Sequence, residues 1–144
     1  MPEIEIYEGD IHTDKRGAIS FVNDFTFRDV KRFYNITHPD TGVIRAWQGH
    51  RIEHKYFFVP AGRFVVAWVL INDWSNPSPD LQSSYTILAA NEPRILHIPP
   101  GYANGIKAIT AFSVLTIYSD LSLSESENDR WSFNQSLWLD WTVF

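Results

Sequence analysis

Residues 43–59 read Val-Ile-Arg-Ala-Trp-Gln-Gly-His-Arg-Ile-Glu-His-Lys-Tyr-Phe-Phe-Val, so that two short runs rich in β-branched and aromatic residues, 43–47 and 55–59, enclose a polar stretch. Runs of this length and composition are typical of half-buried β-strands. Similar runs, bounded mostly by Pro, Gly, Asn, Asp or Ser, recur at residues 18–22, 32–36, 63–71, 84–89, 94–98 and 112–118. The pattern predicts an all-β barrel or sandwich.

The length of the chain, 144 residues, favours a single domain over residues 1–144 with one core. Residues 72–82 form the one long polar loop, and only residues 26–31 and 123–129 are expected to be helical turns. The C-terminal tail, residues 131–144, carries several large aromatic side chains. We expect this tail to pack on the barrel or on a second subunit, because so much apolar surface is costly to expose.

The composition excludes several classes of protein. The chain has no cysteine, which excludes disulfides, thiolate metal sites and a cysteine nucleophile, and leaves five histidines as near-neutral bases or nitrogen ligands. The net charge of −5, without a run of basic residues, disfavours nucleic acid as a partner. No apolar run approaches the roughly 20 residues that span a bilayer. Residues 1–5 lack the features of a signal peptide, which favours a cytoplasmic protein.

The polar stretch between the first two runs contains the densest group of candidate site residues. If the strand pleat continues through it, residues 48, 50, 52 and 54 share one face, because side chains alternate with a period of two. Each two-residue step then separates side chains by roughly 7 Å. The spacing predicts that Gln48, His50 and His54 point together into the barrel.

The same stretch resembles the first sequence motif of the cupin superfamily. The positions of that motif are held here by Gly42, Gln48-Gly49-His50, His54 and Gly62. The second cupin motif, Pro-x-Gly with a histidine three residues later, resembles Pro99-Pro100-Gly101 followed by Asn104. The resemblance implies a cupin double-stranded β-helix, an eight-stranded jelly roll.

A narrower resemblance, over about residues 12 to 133, is to the dTDP-4-dehydrorhamnose 3,5-epimerases and dTDP-sugar 3,4-ketoisomerases. It rests on Asp14-Lys15-Arg16-Gly17, Gly42-Val43-Ile44-Arg45, residues 98–105 and Ser119-Asp120, and for the ketoisomerases on Lys31-Arg32-Phe33-Tyr34. The resemblance implies a nucleotide-sugar isomerase or epimerase that needs no cofactor and acts on a dTDP-4-keto-6-deoxyhexose. It also implies a homodimer built by strand exchange.

Three positions depart from these families. Gln48 stands where the epimerases have their catalytic histidine, Asn104 replaces the histidine of the second motif, and Thr116 stands where they have a tyrosine. An amide cannot abstract a proton from carbon. His50, in contrast, matches the second histidine of the ketoisomerase motif. We therefore expect His50 to be the base of a one-histidine isomerase.

The remaining roles follow from that choice. Tyr34 or His54 would relay a hydroxyl proton, and Gln48 and Asn104 would donate hydrogen bonds to the developing enolate oxygen. The sugar diphosphate would be bound by positive side chains, with Tyr102 as a further substrate contact. The expected diphosphate ligands are Arg45, Lys55 and Arg63.

Two other functions remain open. The first is a non-catalytic cupin that binds a sugar or nucleotide sugar, which the residues at positions 48, 104 and 116 favour. The second is a metal-dependent cupin enzyme such as a dioxygenase. Two histidines with Gln48 and Asn104 make a poor set for a divalent metal because they include no carboxylate, and the sequence therefore predicts neither a metal nor a cofactor.

Overall fold

The computed structural model describes residues 3–144, and Met1 and Pro2 of the acidic start lie outside the described residues. Strands account for most of the regular structure. Their bounds are β1 Glu5–Glu8, β2 Asp10–Asp14, β3 Gly17–Phe21, β4 Arg32–Ile36, β5 Ile44–His50, β6 Lys55–Ala61, β7 Arg63–Leu70, β8 Ser83–Ala89, β9 Arg94–Ile98, β10 Tyr102–Ala108, β11 Val114–Ser119 and β12 Trp131–Ser132. The helical elements are α1, Leu123–Glu127, and a 3-10 turn at Trp141–Val143.

The strands form two five-stranded antiparallel sheets. The first has the order β1-β9-β6-β11-β4 and the second the order β12-β5-β10-β7-β8, while β2 and β3 pair as a separate hairpin. Consecutive strands such as β5 and β6 lie in different sheets, so the chain crosses repeatedly between the two layers. This arrangement is a jelly roll and confirms the predicted fold class.

The main core lies between the two sheets. Its side chains alternate along the strands with the period of two that the sequence pattern predicts. The first sheet contributes Phe57, Val59, Leu96, Ile98, Leu115 and Ile117, and the second contributes Phe64, Val66, Leu88, Ile106 and Ala108. These side chains fill the middle of the sandwich, and the polar groups of the candidate site lie toward one end of it.

The aromatic tail covers the outer face of the second sheet. Trp141 is 4% exposed, and its ring lies 5.5 Å from that of the fully buried Trp47 on β5. The buried Lys107 on β10 donates a hydrogen bond to the carbonyl oxygen of Trp141 at 2.9 Å. Within this chain, therefore, the tail packs on the barrel, and the second sheet is buried on both faces.

Strand β10 was not among the predicted strands, because Asn104 and Gly105 interrupt its apolar pattern. The strand nevertheless lies in the centre of the second sheet, between β5 and β7. A Cβ atom on Gly105 would lie 2.6 Å from Trp141 and 2.8 Å from Ala46. Packing of the tail thus requires a small residue here, and tertiary contacts override strand propensity.

The two predicted helical turns have different outcomes. Residues 123–127 form α1, with Ser122 and Glu125 in a capping box. Residues 26–31 are not helical, because Phe25 and Phe27 both pack on Tyr56, with ring centroids at 5.3 and 6.0 Å. Among residues 3–144 no helix has the length and apolar character needed to cross a bilayer.

The packing of the tail predicts a large difference between two substitutions only two residues apart. We expect Trp141→Ala to lower the free energy of unfolding by about 3–5 kcal/mol, because it removes a buried indole that packs on the outer face of the second sheet. Val143→Ala is the matched control, since Val143 is 69% exposed, and we expect a change within about 0.5 kcal/mol. Urea denaturation measures both, and equal losses would show that the tail is not part of the core.

Candidate active site

A cavity of about 470 Å³ opens between the two sheets near α1. It brings together six of the predicted site residues, namely Tyr34, Arg45, Gln48, His50, Lys55 and Asn104. Its other polar lining residues were not predicted, and they are Arg32, Ser126 and Arg130. Arg32 was detectable, because it lies two residues before Tyr34 and so shares its face of β4.

The alternation of two neighbouring strands positions the polar side chains of the second sheet. Gln48 and His50 lie two residues apart on β5 and line the cavity together. On β10, Asn104 pairs with Gln48 and Tyr102 pairs with His50. Tyr102 packs against the main core and lines a small cleft beside His50 and Lys55, outside the main cavity.

His50 is the only histidine that lines this cavity, among the residues that the structure describes. It is 5% exposed, and its Nδ1 atom lies 2.7 Å from the carbonyl oxygen of Asp129 and 3.1 Å from Oε1 of Glu53. Both oxygens are acceptors, so Nδ1 carries the hydrogen and Nε2 is left with its lone pair. Nε2 is buried and has no hydrogen-bond partner within residues 3–144.

Burial holds His50 in its neutral form. Loss of solvation, with a smaller contribution from the nearby ammonium of Lys55, lowers the pKa of His50 to about 4, although Glu53 opposes the shift. At neutral pH the imidazole is therefore a free base that is shielded from water. A neutral imidazole whose Nε2 has no hydrogen-bond partner is chemically suited to accept a proton from a bound molecule.

Glu53 is absent from the predicted site because a continued strand pleat would place it on the opposite face from Gln48 and His50. It is 1% exposed, and its carboxylate accepts hydrogen bonds from the hydroxyls of Ser119 and Ser126, the latter at 3.0 Å. Nη2 of Arg32 lies 3.5 Å from its second oxygen. The buried negative charge is thus compensated on several sides, as a buried carboxylate requires.

His50, Glu53 and Asp129 are close enough to suggest a cation site, but their donor atoms do not fit one. The carboxylate of Asp129 accepts three backbone N–H groups, those of residues 51, 52 and 53, at 2.9–3.0 Å. Nδ1 of His50 is directed at oxygen acceptors, and Glu53 is occupied by two serine hydroxyls. The cluster is a hydrogen-bonded support for the turn after β5, and a divalent ion would have to displace these partners.

The cavity is strongly positive, although the whole chain carries a net charge of −5. Its lining includes four cationic side chains, Arg32, Arg45, Lys55 and Arg130, and no carboxylate among the described residues. A guanidinium group can donate two parallel hydrogen bonds to the oxygens of one phosphate, and an ammonium group adds a localised positive charge. Such a lining favours an anionic ligand.

Gln48 and Thr116 have partners that clarify their chemistry. Nε2 of Gln48 donates a hydrogen bond to Oγ of Ser132 at 3.0 Å, which ties β5 to β12 at the cavity wall. Thr116 lies outside the cavity and donates a hydrogen bond to Asn35 at 2.7 Å, whereas its neighbour Ile117 lines the cavity. The side chain of Thr116 thus does not contribute to the lining of this cavity.

The prediction that His54 shares a face with Gln48 and His50 is wrong. Strand β5 ends at His50, and the chain then turns toward the other sheet. His54 lines a separate cavity of about 420 Å³, where its Nδ1 lies 2.9 Å from Nε2 of His97, which in turn contacts Glu5. The pleat does not continue through the turn, so the period of two fails after residue 50.

Arg63 is also absent from the main cavity. It is exposed at the start of β7, and its backbone N–H donates to Oγ of Ser113 at 2.9 Å. The structure therefore places two predicted site residues, His54 and Arg63, away from His50. Arg32 and Arg130 supply to the cavity the positive charge that the sequence predicts for Arg63.

Comparisons with known proteins agree with this fold. No protein-family model and no curated protein sequence matches the chain. The RmlC epimerase of Mycobacterium tuberculosis superposes with a TM-score of 0.79 at 19% identity, over 97% of this chain and 74% of that chain. RmlC from Legionella pneumophila, in complex with dTDP-4-keto-L-rhamnose, gives 0.72 at 23% identity, over 96% and 78%.

A third solved structure is a variant of the 3,4-ketoisomerase QdtA from Thermoanaerobacterium thermosaccharolyticum in complex with TDP-4-keto-6-deoxyglucose. It matches with a TM-score of 0.69 at 21% identity, over 88% of this chain and 85% of that chain. At these identities the likeness establishes the cupin jelly-roll fold. Solved structures of both enzyme classes in the sequence resemblance, the epimerases and the ketoisomerases, thus share this fold.

Burial of neutral His50 predicts how stability depends on pH. Its pKa is about 4 in the folded chain, against an ordinary value of 6.5, so the unfolded chain binds more protons between these two values. We expect the contribution of His50 to be complete above pH 6.5 and to be lost as the pH falls toward 4. Urea denaturation from pH 4 to 7 measures the slope of the free energy of unfolding.

The comparison variant is His50→Asn, which removes the titrating group. Burial also lowers the pKa of His97 and His38, so those two residues add slopes of the same sign in both proteins. The slope of the free energy of unfolding against pH should be larger in the wild type than in the variant. The difference should correspond to up to about one bound proton over this range. Identical slopes would mean that His50 is not held neutral by the fold.

Proposed function

We propose that the chain is a nucleotide-sugar isomerase or epimerase that needs no cofactor and acts on a dTDP-4-keto-6-deoxyhexose. The observation that carries the proposal is the buried, unpartnered Nε2 of neutral His50 in a cavity lined by four cations. A base of this kind suits proton abstraction from carbon, and the cations suit a sugar diphosphate. The sequence resemblance and the solved relatives support the substrate class.

The first step uses His50 alone. Nε2 takes the proton from C3 of the sugar, the C3–H electron pair forms a double bond between C3 and C4, and the electrons of the C4 keto group move onto its oxygen. The enolate oxygen is then stabilised by hydrogen-bond donors that are already in place. Asn104 and Lys55 line the cavity near His50 and fit this role.

The second step returns the proton at the neighbouring carbon. The hydroxyl hydrogen on O3 moves to O4, which gives the isomeric enediolate with its charge on O3, and the hydroxyl of Tyr34 in the cavity would relay this hydrogen. The protonated His50 then delivers its hydrogen to C4 while C3 becomes the keto carbon. One imidazole on one face of the sugar performs both transfers, so no second histidine is needed.

A non-catalytic binding protein is the second candidate. It is favoured by the hydrogen bond that fixes Gln48 to Ser132, which leaves the position of the usual epimerase base as part of the cavity wall. Such a protein would bind dTDP or a dTDP-sugar in the same positive cavity without turnover. A measurement of hydrogen exchange therefore distinguishes the two candidate functions, whereas a measurement of binding does not.

Hydrogen exchange tests the catalytic proposal. The protein is incubated with dTDP-4-keto-6-deoxyglucose in deuterated water, and label at C3, C4 or C5 is followed by proton NMR and mass spectrometry. We expect incorporation by the wild type and a loss of roughly 10²–10⁴-fold in His50→Ala, which lacks the base.

The matched control is His54→Ala, because His54 lies in the separate cavity, and we expect its rate to stay within about twofold of the wild type. Equal rates in wild type and His50→Ala would contradict the assigned base. Binding of the substrate without any exchange would favour the non-catalytic candidate.

Binding of dTDP tests the anionic site independently of turnover. We expect Arg45→Ala to raise the Kd for dTDP about tenfold, since it removes a charge-assisted contact worth about 1.5 kcal/mol. Arg63→Ala is the matched control, because Arg63 lies outside the cavity. Isothermal titration calorimetry at fixed salt measures both, and equal affinities in the two variants would remove Arg45 from the diphosphate site.

We also propose a homodimer. β1 and β4 are the edge strands of the first sheet. Two large apolar side chains are exposed, Phe33 on β4 at 65% and Ile19 on the separate hairpin at 62%. Exposed apolar side chains on sheet edges are typical of strand-mediated association. Light scattering at micromolar concentration should give the mass of two chains, and the mass of one chain would contradict the proposal.

A further inference from the structure

Glu53 connects the candidate base to the candidate anion site. Its Oε1 atom lies 3.1 Å from Nδ1 of His50, and its Oε2 atom lies 3.5 Å from Nη2 of Arg32. The hydroxyls of Ser119 and Ser126 donate hydrogen bonds to the same carboxylate. One fully buried carboxylate is therefore shared between an imidazole and a guanidinium.

The contact to His50 fixes which nitrogen is the base. Nδ1 faces two acceptors, Glu53 and the carbonyl oxygen of Asp129, so its hydrogen stays there and Nε2 stays free. The charge on Glu53 also stabilises the imidazolium that forms once Nε2 has taken a proton. The charged groups that face His50 are Glu53 from the turn, Lys55 from β6 and Asp129 from the segment after α1.

The contact to Arg32 is the one that a ligand can alter. Arg32 lines the main cavity, and its guanidinium lies 4.8 Å from the ring centre of Tyr34. Nε of Arg32 donates to the carbonyl oxygen of Leu121 at 3.2 Å, so only part of the guanidinium is engaged with Glu53. A diphosphate in the cavity competes with Glu53 for this guanidinium, because phosphate oxygens bind arginine strongly.

We propose that Glu53 is a positioning residue for His50, and that diphosphate binding at Arg32 frees the charge of Glu53 and so makes His50 a stronger base when the ligand is present. This inference rests on the proposed function in taking a diphosphate as the ligand. It explains why a buried carboxylate is placed between the two groups. Without a ligand, Arg32 compensates the charge of Glu53 and so lowers the basicity of His50. With a diphosphate bound to Arg32, the charge of Glu53 acts on His50 instead.

The test follows the imidazole nitrogens of His50 by ¹⁵N NMR, with the protein labelled at histidine, in the presence and absence of saturating dTDP. In the wild type we expect dTDP to raise the titration midpoint of His50 by about one pH unit, a tenfold gain in proton affinity. In Glu53→Gln and in Arg32→Gln we expect less than half of that shift at saturation.

The control is Arg130→Gln, since Arg130 lines the same cavity and forms no ion pair with Glu53 within residues 3–144. It should retain the full shift. Equal shifts in all four proteins would overturn the inference, because they would show that the charge of dTDP acts on His50 directly. If Glu53→Gln does not fold, Arg32→Gln decides the question alone.

Failure of this inference is distinguishable from failure of the proposed function. The NMR measurement requires binding and no turnover, so a protein without hydrogen exchange can still show the coupling. Inorganic pyrophosphate is the second probe and separates the diphosphate from the nucleoside. A protein whose His50 responds to neither dTDP nor pyrophosphate would overturn the inference.

Discussion

The turn after β5 is held chiefly by the carboxylate of Asp129. Asp129 accepts hydrogen bonds from three successive backbone amides, at residues 51, 52 and 53, where the chain leaves one sheet for the other and these amides have no strand partner. Its carbonyl oxygen accepts a hydrogen bond from His50. One residue thus supports both the shape of the turn and the orientation of the imidazole, and the turn in turn directs Glu53 inward and His54 outward.

The inward placement of Glu53 explains how an acidic chain can contain a positive cavity. The carboxylate of Glu53 contacts Nδ1 of His50 and pairs with Arg32, and it does not itself line the cavity, whose described lining includes four cations. Burial keeps His50 neutral because loss of solvation disfavours the imidazolium, and repulsion by the ammonium of Lys55 adds to this effect. Base strength and anion binding are therefore set by the same few charges.

Much of the fold was predictable from the sequence, because alternation and turn residues act locally. β4 and β9 have the predicted bounds, whereas β10 was missed because its Gly105 is required by Trp141, a contact that no local pattern shows. In the site, Gln48 and His50 were predictable as neighbours on one strand face. His54 and Glu53 were not, since the chain turns between residues 50 and 55 and the hydrogen bonds that shape the turn come from distant residue 129.

Under the proposed function, His50 faces the reacting carbons of a sugar whose diphosphate lies among the arginines of the cavity. A crystal structure of His50→Asn with dTDP-4-keto-6-deoxyglucose tests it most directly, because the variant retains the cavity and lacks the base. We expect C3 of the sugar within about 4 Å of the side chain at position 50 and the diphosphate beside Arg45 and Arg32. A sugar bound in the cavity of His54 and His97, or with C3 and C4 directed away from position 50, would contradict it.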